Sequence, residues 1–320
     1  MASSDGSPVA DPTEDNSSFG ERLLERMEGL LRRGVASELS ASEVASQVLG
    51  VVQEWVAFKA QNPDEFGPQF VKDTPGVESM GWELWDAVDR LAREDERHHD
   101  ALISFINAFL PLLRMQPWQI WGEGVQNSSF LLGPAFRESL NQFEKMCPGE
   151  NEINENQMIS RWVNYCRFVA RMTRDTENDF SLFLLWFARE ALEDCSWCSL
   201  SNLDASILAL EGVIDVCGVQ MIRSDEDYGT SGAGGDGVRK WDGKSGFCKE
   251  RWLFWEAGLL DIARDEARPV DVRDSAQRTA TKMKSIRDGL LDVKNSGLPS
   301  RTGRPSRVQG SDYVQLIPHT

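Results

Sequence analysis

The densest group of residues able to bind a metal or transfer a proton is "EDERHHDAL", residues 94–102. On a helix, Glu96 and His99 have the spacing of a di-iron ligand pair, and His99 with Asp100 forms the His-Asp pair of helical metal phosphohydrolases. A di-iron site needs a second such motif with two more carboxylates, and the hydrolases need a histidine upstream, whereas no histidine precedes His98. We interpret the run as a solvated helix start whose acids lie near the positive end of the helix dipole, and we predict no metal.

Two cysteines, Cys195 and Cys198 in "DCSWC", have the CxxC spacing of zinc and redox sites. Zinc needs two further ligands, but the other cysteines lie singly on or near separate predicted elements. A redox site needs a strand that leads into a helix, and no strand is predicted here. Because cysteine is among the residues most often buried, we predict ordinary packing at a helix end and no cofactor.

The stretch "GTSGAGGDGVRKWDGKSGF", residues 229–247, contains two near-matches to phosphate-binding motifs. Three of its glycines fit GxGxxG: Gly232, Gly234 and Gly237. Residues 243–245 match the end of a P-loop, but that motif needs glycine where Val238 stands. Both motifs also need a strand before and a helix directly behind, and the acids at 225–227 would repel phosphate. We therefore predict a flexible surface loop at about 223–246 and no nucleotide.

Tryptophans recur in pairs three residues apart, a spacing that places both rings on one face if the segment is helical. The pairs are Trp82/Trp85, Trp118/Trp121 and Trp252/Trp255. Core packing is the more frequent use of such rings, although they also line small-molecule pockets. The pocket hypothesis gives these ligand-binding residues: Trp118, Trp121, Trp186, Arg189, Glu190, Arg251, Trp252 and Trp255.

Acidic and hydrolase motifs are incomplete. No DDxxD stretch for magnesium-diphosphate chemistry and no GxSxG elbow occur in the sequence. Glu190 and Glu193 lie beside Arg189 near a predicted helix end, where a salt-bridged face explains them. No catalytic residue is predicted, and the incomplete motifs favour a protein that is not an enzyme.

Helices must position all of these residues, because apolar positions recur at three- and four-residue spacing almost throughout. The spacing predicts an all-α fold without a sheet, as a single irregular multi-helix bundle or stacked helical hairpins. A capping box, Ser40-x-x-Glu43, marks one helix start, and Pro111 is expected to bend or end another helix. The predicted helices cover 19–33, 41–62, 77–91, 95–113, 133–145, 155–172, 178–193, 202–222, 251–267 and 270–293.

The chain ends differ in composition from residues 19–295, which we predict form one helical domain. Residues 1–18 are small and polar, and 296–320 are rich in Gly, Pro, Ser and Arg, so both are predicted to be disordered tails. The C-terminal tail is basic, whereas the whole chain has a net charge of -17. We expect this tail to dock on the acidic body, in a contact that phosphorylation of Ser300 or Ser306 weakens.

Charge and cysteine usage restrict the environment of the protein. A net charge of -17 repels phosphate backbones and anionic lipids, so neither nucleic acid nor a membrane is a predicted partner. The apolar run from Phe180 to Ala188 is too short to cross a bilayer. Six cysteines without a signal peptide indicate free thiols inside the cell, in the cytoplasm or nucleus.

Four stretches carry a resemblance to a known family. They are "LLGPAFRESLNQ", "RWVNYCRFVARMTR", "DFSLFLLWFAREALE" and "RKWDGKSGFCKERWLFWEAGL". They resemble an uncharacterised fungal family, domain of unknown function 3632. The resemblance as a whole runs in scattered blocks from about residue 40 to residue 265. The resemblance implies an all-helical fungal protein and carries over no catalytic residue, because none is established for the family.

These observations favour a non-catalytic intracellular helical protein that acts through protein–protein interaction. The alternative is an enzyme or carrier that binds an apolar small molecule in a tryptophan-lined pocket between helices. The sequence identifies neither the protein partner nor the ligand, and it leaves the oligomeric state open.

Overall fold

A computed structural model describes residues 12–62, 72–127, 129–145, 155–193, 200–233 and 241–295. It is 78% helical with ten helices, which confirms the predicted all-α class. The helices are α1 (Pro12–Val35), α2 (Ala41–Gln61), α3 (Val77–Glu94), α4 (His99–Arg114), α5 (Leu132–Lys145), α6 (Glu155–Asp175), α7 (Ser181–Leu192), α8 (Leu200–Arg223), α9 (Lys249–Arg264) and α10 (Val270–Asn295).

The structure departs from the sequence predictions at two places. Helix α1 begins at Pro12, so residues 12–18 are helical although they were assigned to a disordered tail; residues 1–11 and 296–320 lie outside the described residues. Helix α4, by contrast, contains Pro111 and ends at Arg114, within one residue of the predicted end at 113. The prediction that no sheet forms was wrong, because β1 (Gln119–Ile120) and β2 (Glu123–Gly124) pair as a short antiparallel hairpin.

The chain divides into two compact units, which are described separately. The first contains Met1–Val88 and Ser104–Leu132, and the second contains Asp89–Ile103 and Gly133–Thr320. One domain over residues 19–295 therefore stays a prediction.

In the first unit, α1 packs against α2, and aromatic rings join aliphatic side chains in the core. The capping box is confirmed: the Ser40 hydroxyl accepts a bond from the Glu43 N–H, and the Glu43 carboxylate accepts one from the Ser40 N–H. Trp85 packs edge-on against Phe109, and its indole N–H donates to the carbonyl of Phe130. Phe130 and the following Leu131 both have positive φ, which bulky residues rarely adopt.

In the second unit, α8 is the central helix and packs against α6, α7 and α10, while α9 packs against α10. In α8, the segment Leu203–Arg223 is long and apolar enough to cross a membrane by length and composition. However, 61% of its most apolar part is buried inside the protein. Core helices meet the same criterion, and the packing of α8 against three helices accounts for its apolar residues.

Candidate functional site

A fully buried ion pair in the second unit joins Glu193, which directly follows α7, to Arg251 in the first turn of α9. The Arg251 Nε atom lies 2.7 Å from Glu193 Oε1, and Nη2 lies 2.7 Å from Oε2. Both side chains are 0% exposed. This two-pronged geometry matches the planar guanidinium to both carboxylate oxygens, and such paired bonds are the stronger kind.

Arg251 also binds the backbone on both sides of the glycine-rich loop. Its Nη1 atom donates to the carbonyl of Gly232 at 2.8 Å and to that of Gly246 at 3.0 Å. Glu193 accepts a third bond from the indole N–H of Trp255, at 2.6 Å. We call these five residues, Glu193, Gly232, Gly246, Arg251 and Trp255, the Arg251 cluster.

Local sequence explains how these groups meet. Cys248 caps α9, with its sulfur accepting from the Arg251 N–H at 3.4 Å, and so fixes where the helix begins. Arg251 and Trp255 are four residues apart and therefore lie on one face of α9. Gly246 has φ of +142° and pairs with Asp227, and a side chain at this position would overlap the carbonyl oxygen of Glu226. Glycine is therefore required where the loop reaches Arg251.

The described ends of the glycine-rich loop are packed, in contrast to the flexible loop that its composition predicted. Residues Gly229–Gly232 form a turn of 3-10 helix, and Gly232 is buried. The carbonyl of Ser231 accepts bonds from Trp186 Nε1 at 2.9 Å and Arg189 Nη1 at 3.1 Å. Residues 234–240, which include Gly234, Gly237 and Val238, lie outside the described residues.

The arrangement of the Arg251 cluster is structural rather than reactive. The Glu193 carboxylate already accepts three hydrogen bonds, and the Arg251 guanidinium donates four. The Trp255 ring lies 5.5 Å from the guanidinium carbon, and the Trp241 ring lies 5.7 Å from it. A substrate would have to displace these partners, so the cluster joins α7, α9 and the loop ends without offering a binding group.

The predicted pocket residues make different contacts. Trp186, Arg189 and Arg251 bond to the carbonyls of the packed loop ends, whereas Trp255 bonds to Glu193. Glu190 instead accepts from the Ser206 hydroxyl at 3.0 Å, and Trp252 lies against α8 beside Gly218.

The Trp118/Trp121 pair lies between two helices, as the predicted helix ranges indicate, so its three-residue spacing does not place both rings on one helical face. Trp118 lies just before β1, and Trp121 is in the turn of the hairpin with φ of +52°. Its indole N–H donates to Glu78 Oε1 at 3.0 Å. Both residues belong to the first unit, whereas the Arg251 cluster belongs to the second.

Sequence reasoning placed Glu193 on a salt-bridged helix face and missed its partner. The partner, Arg251, lies 58 residues away in the chain. Helical spacing indicates contacts only within a few turns, so no local signal connects the two residues.

His99 makes its hydrogen bond to the backbone, and the acids with which it was considered pair with arginines. It is 0% exposed, its Nε2 atom lies 3.0 Å from the carbonyl oxygen of Ala92, and its ring packs against Phe168. Burial lowers the pKa of His99 to about 4, and the charges of Arg171 and Arg167 act in the same direction. The nearby acids bind arginines instead: Glu96 pairs with Arg167 and Asp100 with Arg171.

Metal-binding groups of the predicted kinds do not converge in the part of the chain that the structure describes. Within those residues no group of three or more His, Cys, Asp or Glu side chains could hold a metal ion. The CxxC pair, Cys195 and Cys198, lies outside them.

The chain matches a family model described as "Protein of unknown function (DUF3632)". No curated protein and no solved structure matches the chain. The matched region, residues 85–259, contains His99 and the whole Arg251 cluster and covers more than half of the chain. The chain therefore belongs to this family of proteins of unknown function.

Proposed function

We propose that this chain is a non-catalytic helical protein that acts by binding another protein. The observation that carries the proposal is the saturation of the Arg251 cluster, where the candidate polar anchors bond to one another. The proposed setting is the cytoplasm or nucleus of a fungal cell.

A binding or catalytic anchor needs an atom that a ligand can reach. Arg251 and Glu193 are both 0% exposed, and each bonds to protein groups on more than one side. Separating a buried ion pair leaves an uncompensated charge, at a cost of about 3–5 kcal/mol. A small ligand entering here would have to offset that loss, which makes a role in holding the fold the better explanation.

The surface charge supports a partner with a basic face. The net charge of -17 attracts cationic surfaces and accelerates encounters with them, most strongly at low ionic strength. Association of this kind weakens as salt screens the charges.

The test is native mass spectrometry of the full chain purified gently from a fungal host. We expect a complex with a second protein in a fixed stoichiometry that dissociates as ionic strength rises. A matched purification of Arg278→Lys, which keeps the surface charge, should retain the same partner. A chain that carries a bound small molecule and no protein would contradict the proposal and support the alternative of an enzyme or carrier.

A further inference from the structure

Helices α8 and α10 run side by side in the same direction and are joined by a row of ion pairs. The first pair, Asp204–Arg268 at 2.6 Å, involves a residue two positions before α10, and the next two lie within both helices: Glu211–Arg278 at 2.6 Å and Asp215–Lys282 at 3.3 Å. Each pair lies further along both segments of the chain than the one before, so the contacts fix the register of the two helices.

One turn beyond the last ion pair, the contact between the two helices becomes apolar. A side chain at Gly218 would meet the Ile286 Cδ1 atom at 2.8 Å, which shows how closely the helices approach. Next to Gly218, Val219 is 45% exposed. Three further side chains continue the surface at helical spacing and are half-buried: Ile222, Ile286 and Leu290. We call Val219, Ile222, Ile286 and Leu290 the apolar patch.

The length of the following chain favours one occupant for this patch. Helix α10 ends at Asn295, only five residues after Leu290, and residues 296–320 follow. Within them, one run combines several large apolar side chains: Tyr313-Val314-Gln315-Leu316-Ile317. The intervening residues 296–312 span up to about 55 Å when extended, which is ample to turn back to the patch.

Charge favours the same occupant. Three arginines precede the run: Arg301, Arg304 and Arg307. The acidic stretch 225–227 follows directly after α8 ends at Arg223, and Asp225 and Asp227 are exposed. Opposite charges therefore lie next to the apolar run in the tail and next to the apolar patch on the body.

We propose that residues 313–317 dock on the apolar patch of the same chain, with the tail arginines facing the acids after α8. Burying the apolar side chains of both partners drives the contact, and the charges orient it. The tail then covers a surface on the body, whether or not the protein binds the partner proposed above.

Hydroxyl-radical footprinting of the full chain tests this contact, because it measures the solvent exposure of individual side chains. The double variant Leu316→Asp/Ile317→Asp should raise oxidation of Val219, Ile286 and Leu290 roughly twofold, since it makes the run polar. The matched control, His319→Asp/Thr320→Asp, adds the same negative charge without removing apolar groups and should leave oxidation unchanged. Val270, 62% exposed in another part of α10, provides the internal reference.

Equal oxidation in the wild type and the Leu316→Asp/Ile317→Asp variant would overturn the proposal. If the apolar patch stays protected from oxidation in this variant but loses that protection on dilution, the occupant is a second copy of the chain. That result would also overturn the proposal. Because the substituted residues lie in the tail, the comparison does not depend on a change inside the folded body.

Discussion

The Arg251 cluster and the α8–α10 contact both join helices through arginine–carboxylate pairs, yet they differ in their access to water. Arg251 and Glu193 are 0% exposed, whereas the Arg278 side chain is 60% exposed and its partner Glu211 25% exposed. Water and salt screen the exposed pair, so its net contribution is small. A buried pair gains little over apolar packing, but losing one partner is severe. Burial, more than distance, therefore determines what each ion pair contributes to the free energy of unfolding.

Removing Arg251 should give the largest effect. Arg251→Met leaves the Glu193 carboxylate buried without its counter-ion and should lower the free energy of unfolding by about 3–5 kcal/mol. Urea unfolding followed by circular dichroism measures it. The double variant Glu193→Leu/Arg251→Met should be less destabilised than Arg251→Met alone. If the double variant instead loses as much stability as the single variants Arg251→Met and Glu193→Leu together, a buried unpaired charge is not the cause.

His99 extends the comparison to a buried basic group without a carboxylate partner of its own. Its folded-state pKa of about 4 lies below the ordinary value of 6.5. The stability that the neutral His99 side chain contributes is therefore fully present above pH 6.5. As pH falls from 6.5 to 4, the unfolded chain binds the proton first and the free energy of unfolding should drop by up to about 3 kcal/mol. Urea unfolding at several pH values should show this drop in the wild type.

His99→Gln should reduce the drop, and His98→Gln is the control because His98 is only half-buried. An equal drop in wild type and His99→Gln between pH 6.5 and 4 would contradict the assignment of the effect to His99.

Gly246→Ala tests the loop side of the Arg251 cluster. A methyl group would strain the backbone at φ of +142° and overlap the Glu226 carbonyl, so the variant should lose roughly 2 kcal/mol of stability. Thermal unfolding gives the change. Gly289→Ala is the matched control, because a side chain there meets nothing within 4 Å. Since alanine is more favourable than glycine within a helix, this variant should not lose stability. A loss no larger than that of the control would show that the loop end is not held in this conformation.

Arg278→Ala should have the smallest effect, below about 1 kcal/mol, and the effect should shrink further at high salt. Urea unfolding at low and high ionic strength distinguishes this pair from the buried one. A loss as large as that of Arg251→Met would remove the contrast between the two regions.

The sequence predicted the helices well because their apolar spacing and caps are local. Ser40 and Glu43 identified the start of α2, and ten helical segments were expected close to where they occur. The hairpin was missed because two-residue strands are too short to show an alternating pattern. Positive φ at Phe130 was also unpredictable, since bulky residues disfavour that conformation, and its carbonyl accepts a bond from Trp85, 45 residues away in the chain.

The candidate site was harder to predict because its central pair is not local. Trp186, Arg189, Arg251 and Trp255 were selected from the sequence, but as pocket residues rather than as groups that bond to one another or to the loop. Glycine composition does not distinguish the described ends of the loop from a flexible linker, because glycine serves both flexible linkers and tight backbone approaches. Gly246 is of the second kind, and only the position of Glu226 reveals it.

Arg251 holds the carbonyls of Gly232 and Gly246 with a single nitrogen, so the two ends of the intervening segment stay close together whatever its length. Lengthening a loop whose ends are fixed is inexpensive, with each doubling costing only about 0.6 kcal/mol of closure entropy. We therefore expect an insertion between Gly232 and Trp241 to cost little closure entropy, whereas one within residues 241–245 would disrupt the contact of the Trp241 ring with Arg251.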